Sequence, residues 1–262
     1  MNFQFLTYFI QDFIHTIKNY PKAYPFILQN RLWNGLFNYN WLSKMLTILG
    51  IILSLYFYSY MDNWWESEQM AVGFSMGKLG DFVGDTFTEA THLFSSSSFR
   101  YVILILLEVF IFHFARKTIL VLSGEIADAT FKDFISAQKR MVKVVIFSFV
   151  MELIFSILIG TAVYLVGLEI IKPFVIFLIQ CFFIGFAVLD NYNEIFYKSI
   201  NASFQFTKRY AGVAIGVGIL VYFLMLIPLF GAILGSILGA VIAAITMFEI
   251  SKKENSQEFQ LN

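Results

Sequence analysis

The sequence has few of the residues on which metal sites, disulfide frameworks and soluble enzymes depend. Its 262 residues include one cysteine, Cys181, which excludes an internal disulfide framework and a cysteine-based metal site. The three histidines, His15, His92 and His113, have no metal-ligand spacing. Charged residues make up 14% of the chain, against about 25% in ordinary soluble domains. We therefore predict no metal site and no cofactor.

Motifs of known chemistry are also missing. The sequence contains no Ser/His/Asp arrangement, HExxH helix, P-loop or GxGxxG turn, so we predict no catalytic residues and no enzyme. Eighteen basic residues balance eighteen acidic ones, and no net charge points to a nucleic acid. The first twenty residues lack a basic n-region, a continuous apolar run and a cleavage site, so no signal peptide is expected.

Apolar residues, by contrast, are abundant. They form 58% of the chain, and phenylalanine alone occurs 32 times. A soluble fold of this size has too little interior for so much apolar surface, so a lipid bilayer must cover part of it. The sequence predicts an all-α integral membrane protein forming one domain, 1–262.

The chain divides into an N-terminal helix and about six apolar helical segments. The segments cover 45–61, 101–122, 144–168, 173–189, 211–227 and 229–248, with an outer cap over 62–98 and a cytoplasmic tail over 249–262. Residues 1–20 alternate apolar and polar faces at helical spacing, which is typical of an amphipathic helix in the membrane interface. A surface helix packed on other protein is the alternative. Tyr20 to Pro25 is expected to break the pattern.

The positions of the basic residues orient these segments. Lysine and arginine gather in the stretches before 45–61, between 101–122 and 144–168, around Lys208, and after 229–248. Six crossings with both termini in the cytoplasm satisfy the positive-inside rule at every loop. However, 173–189 and 211–227 hold about 17 residues each, or roughly 26 Å of helix, against a ~30 Å hydrocarbon core. The last four segments therefore form two short hairpins that cross the bilayer fully or penetrate it partway.

Ionisable residues inside apolar segments are candidates for function. Glu108, His113 and Glu152 lie at such positions, where an unpaired charge costs several kcal/mol. One interpretation is a proton or cation relay; the other is that the carboxylates are hydrogen-bonded or reach the headgroups. Small residues also recur every fourth position, at Gly212 and Gly216 and again at Gly231, Gly235 and Gly239. Such faces are typical of helix packing in lipid, and a pore-lining role is the alternative.

The C-terminal third resembles the CysZ-type sulfate permease family, which shares a domain with the etoposide-induced membrane proteins. The resemblance is carried by Asp190 and Tyr192, Ser203-Phe204, Lys208-Arg209, Ile227-Pro228-Leu229 and Ala243-Ala244. It implies two partly penetrating hairpins in a homo-oligomeric, multi-pass protein of the bacterial inner membrane that admits sulfate or a related small anion. Where sulfate-handling members have a Gly-Leu-Arg-type run after the N-terminal proline, this chain has Lys22-Ala23-Tyr24.

The expected anion site follows from that comparison. A sulfate site uses backbone N–H groups at a helix N-terminus and one or two basic side chains. Residues 21–25 with Lys22, aided by Arg31, are the segment that could supply them. Two alternative functions stay open: a non-transporting oligomeric scaffold that binds a partner through its glycine faces, and a proton-coupled transporter of another small solute through Glu108 and Glu152.

Overall fold

Every regular element in the described part of the chain is a helix. The computed structural model describes residues 3–36, 97–124, 131–196, 199–227 and 230–260. The predicted segment 45–61 lies outside these residues, as does the predicted cap over 62–98 except for its last two residues. The helices are α1 Phe3–Gln29, α2 Ser97–Leu106, α3 Glu108–Ser123, α4 Phe131–Leu165, α5 Lys172–Phe196, α6 Ile200–Arg209, α7 Ala211–Met225 and α8 Phe230–Gln260. The all-α prediction is confirmed.

Three of these helices are long and apolar enough to cross a membrane. They cover Lys132–Leu165, Lys172–Phe196 and Phe230–Lys253, and α6 with α7 makes a fourth candidate that is bent by 96°. Large apolar side chains are exposed where these helices turn, including Leu165 at 77%, Ile170 at 90% and Phe230 at 77%. So much exposed apolar surface is typical of contact with lipid. The described residues thus support three or four spans, and the predicted count of six is not confirmed.

Several helices extend beyond the predicted apolar segments, and one predicted segment is divided between two helices. The segment 101–122 is two helices, because the chain breaks its helical geometry at Leu107 and Glu108 begins α3. Helix α4 begins at Phe131 rather than at 144, and α5 continues past 189 to Phe196. The region from 249 continues α8 as far as Gln260. Helices α4, α5 and α8 continue into polar sequence. The thickness of the membrane sets the length of the apolar part of a helix, but not where the helix itself ends.

The predicted break at Tyr20 to Pro25 is wrong, because α1 passes through Pro21 and Pro25. Each proline removes one backbone hydrogen bond and normally bends or breaks a helix. Here both prolines are exposed, while Ala23 and Ile27, on another face, are buried against the bundle. Packing of that face compensates for the lost bonds, since breaking the helix would expose both apolar side chains.

Helix α1 has three distinct faces. Its buried face is largely small or polar, with Thr16, Asn19 and Ala23 at 0% exposure. A second face exposes a continuous apolar stripe from Leu6 to Leu28, roughly 33 Å long. A third exposes polar residues that include Gln11, Lys18 and Lys22. This division favours an interfacial helix that contacts protein, lipid and water on separate sides.

The centre of the bundle is the packing of α5 against α7. A Cβ atom added at Gly185 would lie 1.8 Å from the carbonyl oxygen of Ala214, and one at Gly218 would lie 1.7 Å from that of Cys181. Each helix therefore places a glycine against the backbone of the other, and larger residues would force them apart. Helix α4 packs on the other side of α5, while α8 packs against α3 and α7 and α1 lies across α7 and α8.

Candidate functional site

The most extensive polar site within the described residues is where α4, α5 and α6 meet. We call it the Asp190 cluster, comprising Arg140, Asp190, Asn193, Ser203 and Thr207. Arg140 donates two hydrogen bonds to the Asp190 carboxylate, from Nε to Oδ2 at 2.7 Å and from Nη2 to Oδ1 at 2.8 Å. Ser203 Oγ donates a third to Oδ1. The aspartate is 2% exposed and the Arg140 side chain 11%, so most of this ion pair is withdrawn from solvent.

Local sequence explains how α6 joins this cluster. Ser199 precedes the helix and its side chain accepts a hydrogen bond from the Ala202 N–H at 3.1 Å, which is an N-cap. Ser203 and Thr207 are four residues apart and so share the face that meets α5. Asn193 Nδ2 donates to both hydroxyls, at 3.0 and 3.1 Å. Helix α6 is thereby fixed at 96° to α7, across the end of the bundle.

Glu108 lies beside the Asp190 cluster. Its side chain is 1% exposed and accepts a hydrogen bond from Asn191 Nδ2 at 3.3 Å. Asp190 and Glu194 are close enough to Glu108 to interact with it electrostatically. As the first residue of α3, Glu108 also occupies the end of a helix where the backbone dipole favours negative charge.

A second buried charge site lies where α2, α4, α5 and α7 meet. We call it the Arg100 cluster, comprising Arg100, Tyr101, Glu152, Cys181 and Tyr222. Tyr101 donates a hydrogen bond to Glu152 Oε2 at 2.7 Å. The Arg100 guanidinium carbon lies 4.5 Å from the centroid of the Tyr222 ring, a cation–π contact. Arg100 is 1% exposed and Glu152 3%, and Cys181 is within electrostatic range of both.

The two clusters lie at different depths of the same helix pair. Along α4, Arg140 and Glu152 are separated by roughly 18 Å, and along α5, Cys181 and Asp190 by roughly 14 Å. An aromatic layer of Phe147, Phe186 and Phe204 lies between them. Phe204 has its ring centroid 5.0 Å from that of Phe147 and 5.2 Å from that of Phe186.

Ser148 interrupts this apolar separation. It lies between Arg140 and Glu152 on α4 and is completely buried, and among the described residues its hydroxyl has no hydrogen-bond partner. A buried hydroxyl without a partner is unfavourable, because it has lost its hydrogen bonds to water. Ser148 thus places a buried polar group on α4 between the levels of Arg140 and Glu152.

The predicted relay residues are not brought together. Glu108 lies beside the Asp190 cluster, and Glu152 belongs to the Arg100 cluster. The side chain of His113 instead forms a hydrogen bond between Nε2 and the Leu32 carbonyl oxygen at 2.8 Å. Two carboxylates therefore occupy separate sites, and the histidine ties α3 to the segment that follows α1.

The predicted anion-site residues also lie apart from both clusters. Lys22 is in the middle of α1, so residues 21–25 do not form the helix N-terminus expected there. Its Nζ is 3.6 Å from Glu249 Oε1 on α8. Arg31 follows the C-terminal end of α1, where the helix dipole favours cations, and has a positive φ of 48°. Backbone donors for a dianion are therefore not presented at either residue.

The glycine faces are covered by helices of the same chain. Gly212 and Gly216 meet Phe9, Phe13 and Thr16 of α1 rather than α8. The second set, Gly231, Gly235 and Gly239, meets Val221 and Leu224 of α7 and neighbouring residues. The closest helix approach, at Gly185 and Gly218, was missed by the sequence analysis. The spacing of Cys181 to Gly185 and of Ala214 to Gly218, small residues four apart, is the signal that could have found it.

Arg100 and Arg140 were likewise missed as site residues, because each stands next to polar or basic neighbours that suggest a loop. Comparisons with protein-family models, with curated proteins and with solved structures found no match to this chain. Within the described residues, no group of three or more His, Cys, Asp or Glu side chains could hold a metal ion. The two clusters are therefore the basis for any functional assignment.

Proposed function

We propose that the protein is a membrane permease for a small inorganic anion such as sulfate. The observation that carries the proposal is the pair of buried clusters, each containing an arginine and a carboxylate, at two depths of α4 and α5. A bundle that needed only stability would be expected to fill these positions with apolar side chains. Buried ion pairs are costly, since desolvation offsets much of their attraction.

Arginine is the side chain best suited to bind a tetrahedral oxyanion. Its planar fork donates two parallel hydrogen bonds, which match a sulfate edge as well as they match a carboxylate. In the Asp190 cluster the aspartate occupies this fork, with both oxygens in contact. An incoming anion would compete with Asp190 for Arg140, and the aspartate would return to the arginine when the anion leaves.

The aromatic layer supplies a barrier between two such sites. Phe147, Phe186 and Phe204 themselves offer a hydrated anion no polar group, although the buried Ser148 hydroxyl lies at the same level, and hydrophobic constrictions of this kind gate by excluding water. Passage of the anion would require the three rings to separate. Their separation would open a path between Arg140 and Arg100 at the level of Ser148. A closed layer would prevent leakage when no substrate is bound.

Orientation and assembly form part of the proposal. One end of the bundle contains the ends of α5 and α8 and the beginnings of α4 and α7. The contacts Arg140–Asp190 and Asn19–Thr246 require this arrangement. Arg140, Lys208 and Lys252 gather there, and the positive-inside rule favours the cytoplasm for this end. We place the protein in a bacterial inner membrane with both termini cytoplasmic, as a homo-oligomer.

The deciding experiment is uptake of labelled sulfate, sulfite and thiosulfate by purified protein in liposomes. We expect flux above that of empty vesicles, and a large loss in Arg140→Lys, which keeps the charge but removes the fork. Arg209→Lys, an exposed arginine outside both clusters, is the matched control and should retain flux. Absence of flux for all three anions, with folded protein in the vesicles, would overturn the proposal.

A second candidate is proton-coupled transport of another small solute. Glu108 favours it, because a fully buried carboxyl beside two further acidic residues, Asp190 and Glu194, is suited to carry a proton. This function predicts uptake that depends on a pH gradient and is lost in Glu108→Gln. Uptake that is unchanged in that variant would remove the candidate and leave the anion permease intact.

A further inference from the structure

An apolar cavity lies between α5, α6 and α7 and is also bordered by Phe155 of α4. Its volume is about 320 Å³, within the range of ligand-binding sites. Eight of its nine lining residues are apolar, among them Leu178, Ile179, Phe182, Phe204 and Ile215. The ninth is Lys208, the only charged residue among those that line it.

The cavity is elongated along the bundle and has its charge at one end. From Val175 to Phe183 the lining follows α5 for roughly 12 Å. Helix α6 crosses the end of the bundle at 96° to α7 and brings Lys208 to that end, where its side chain is exposed. The Lys208 Nζ lies 5.3 Å from the centroid of the Phe204 ring, above the apolar lining.

The position of Lys208 does not depend on a ligand. Ser203 and Thr207, on another face of α6, are held by Asn193, so that the helix backbone that carries Lys208 is fixed by contacts within the protein. The cavity is therefore preformed, and binding would not require α6 to fold or move. A preformed site binds its ligand more tightly than one that must be assembled, because less free energy is lost in ordering its side chains.

We propose that this cavity holds one acyl chain of an anionic phospholipid, whose phosphate pairs with Lys208. The apolar lining matches a hydrocarbon chain in polarity, and a single cation at the rim matches a single anionic headgroup. Basic residues at the membrane surface attract anionic lipids. A zwitterionic lipid carries the same phosphate but also its own cation, which lessens its attraction to Lys208.

The experiment compares phosphatidylglycerol and phosphatidylcholine with identical acyl chains, titrated into detergent-purified protein and counted by native mass spectrometry. We expect phosphatidylglycerol to bind more tightly, with one lipid retained per chain. Lys208→Gln should weaken that binding by about fivefold and leave phosphatidylcholine nearly unaffected. Lys143→Gln, an exposed lysine of α4 that does not line the cavity, is the matched control and should bind as the parent protein does.

A second variant tests the cavity itself. Ile179→Trp places a bulky indole ring in the space that the acyl chain would occupy, and should release the retained lipid while Lys208 is still present. The proposal is overturned if the two lipids bind equally, if Lys143→Gln weakens binding as much as Lys208→Gln, or if folded Ile179→Trp retains phosphatidylglycerol. None of these outcomes depends on transport activity, so the inference stands or fails separately from the proposed function.

Discussion

The Asp190 cluster and the Arg100 cluster bury the same kinds of charge in two different ways. In the first, an aspartate accepts hydrogen bonds from an arginine fork and a serine, and an asparagine and a threonine complete the network. In the second, a tyrosine ring faces the arginine and a tyrosine hydroxyl satisfies the glutamate. The carboxylate of the first thus accepts three side-chain hydrogen bonds, whereas two tyrosines, one through its ring and one through its hydroxyl, contact the charged groups of the second.

The difference arises from the position of each cluster along the helices. The Asp190 cluster forms where α5 passes from apolar to polar sequence and an amphipathic helix, α6, crosses the bundle. Hydrogen-bonding side chains are available there from three helices. The Arg100 cluster is surrounded by aromatic and aliphatic neighbours such as Phe149, and tyrosine supplies both an apolar body and a polar tip.

The strongest test of this contrast is Asp190→Asn. Removing the negative charge leaves the largely buried Arg140 guanidinium beside an amide with a single acceptor oxygen, since the amide nitrogen cannot accept, and one-sided loss of a buried ion pair costs about 3–5 kcal/mol. We expect a large fall in the thermal-unfolding midpoint in detergent. Unchanged stability would mean that the directional network contributes little to the fold.

The next test is the substitution Gly185→Ala, which should disturb both clusters because α5 contributes to each. An added methyl group at Gly185 would collide with the Ala214 carbonyl oxygen, forcing α5 away from α7. Overpacking of this kind costs about 1–3 kcal/mol. We expect lower stability and reduced monodisperse yield on size-exclusion chromatography. Gly160→Ala on α4 is the control, because its nearest contact is the flexible end of Lys172 at 3.4 Å.

The matched change in the second cluster is Glu152→Gln. The amide oxygen can still accept the hydrogen bond from Tyr101, so only the charge is lost, and we expect a cost of about 1–2 kcal/mol. The same unfolding measurement should rank this variant clearly above Asp190→Asn in stability. Equal costs would show that both clusters are held by charge alone.

The smallest expected effect is that of Tyr222→Leu, which keeps an apolar side chain but removes the ring that faces Arg100. A desolvated cation–π contact is worth about 2 kcal/mol, and packing by leucine replaces part of the lost contact. A decrease of about 1 kcal/mol is anticipated. Tyr222→Phe serves as the control, since it retains the ring face and should change little.

The sequence predicted the helical class well and its boundaries less well. Apolar composition and helical period were sufficient to predict two segments. Segment 173–189 lies within α5, and the first fifteen residues of segment 211–227 form α7. The break at Leu107 was not predictable, because Leu107 is an ordinary helix former and the interruption arises where Glu108 meets Asn191. The continuation of α1 through two prolines likewise depends on what its buried face contacts.

The site was less predictable than the fold. Glu108 and Glu152 were found because a charge inside an apolar run is conspicuous in any sequence. Arg140 was not, since it stands among other basic residues, Lys139 and Lys143, and only the structure shows which of them turns inward. Its partner is 50 residues away on another helix. No local pattern links positions so far apart.

The sequence by itself determined that lipid must cover much of this chain, because hydrophobic burial depends on composition and period, which are local properties. Tertiary structure decided how the charges are neutralised. Lys22 and Arg31, which the sequence favoured as anion ligands, lie on or beyond α1, whereas Arg100 and Arg140 are enclosed by helices distant in sequence. A buried charge is stabilised only by groups within a few ångströms, and those distances are set by the packing of the helices.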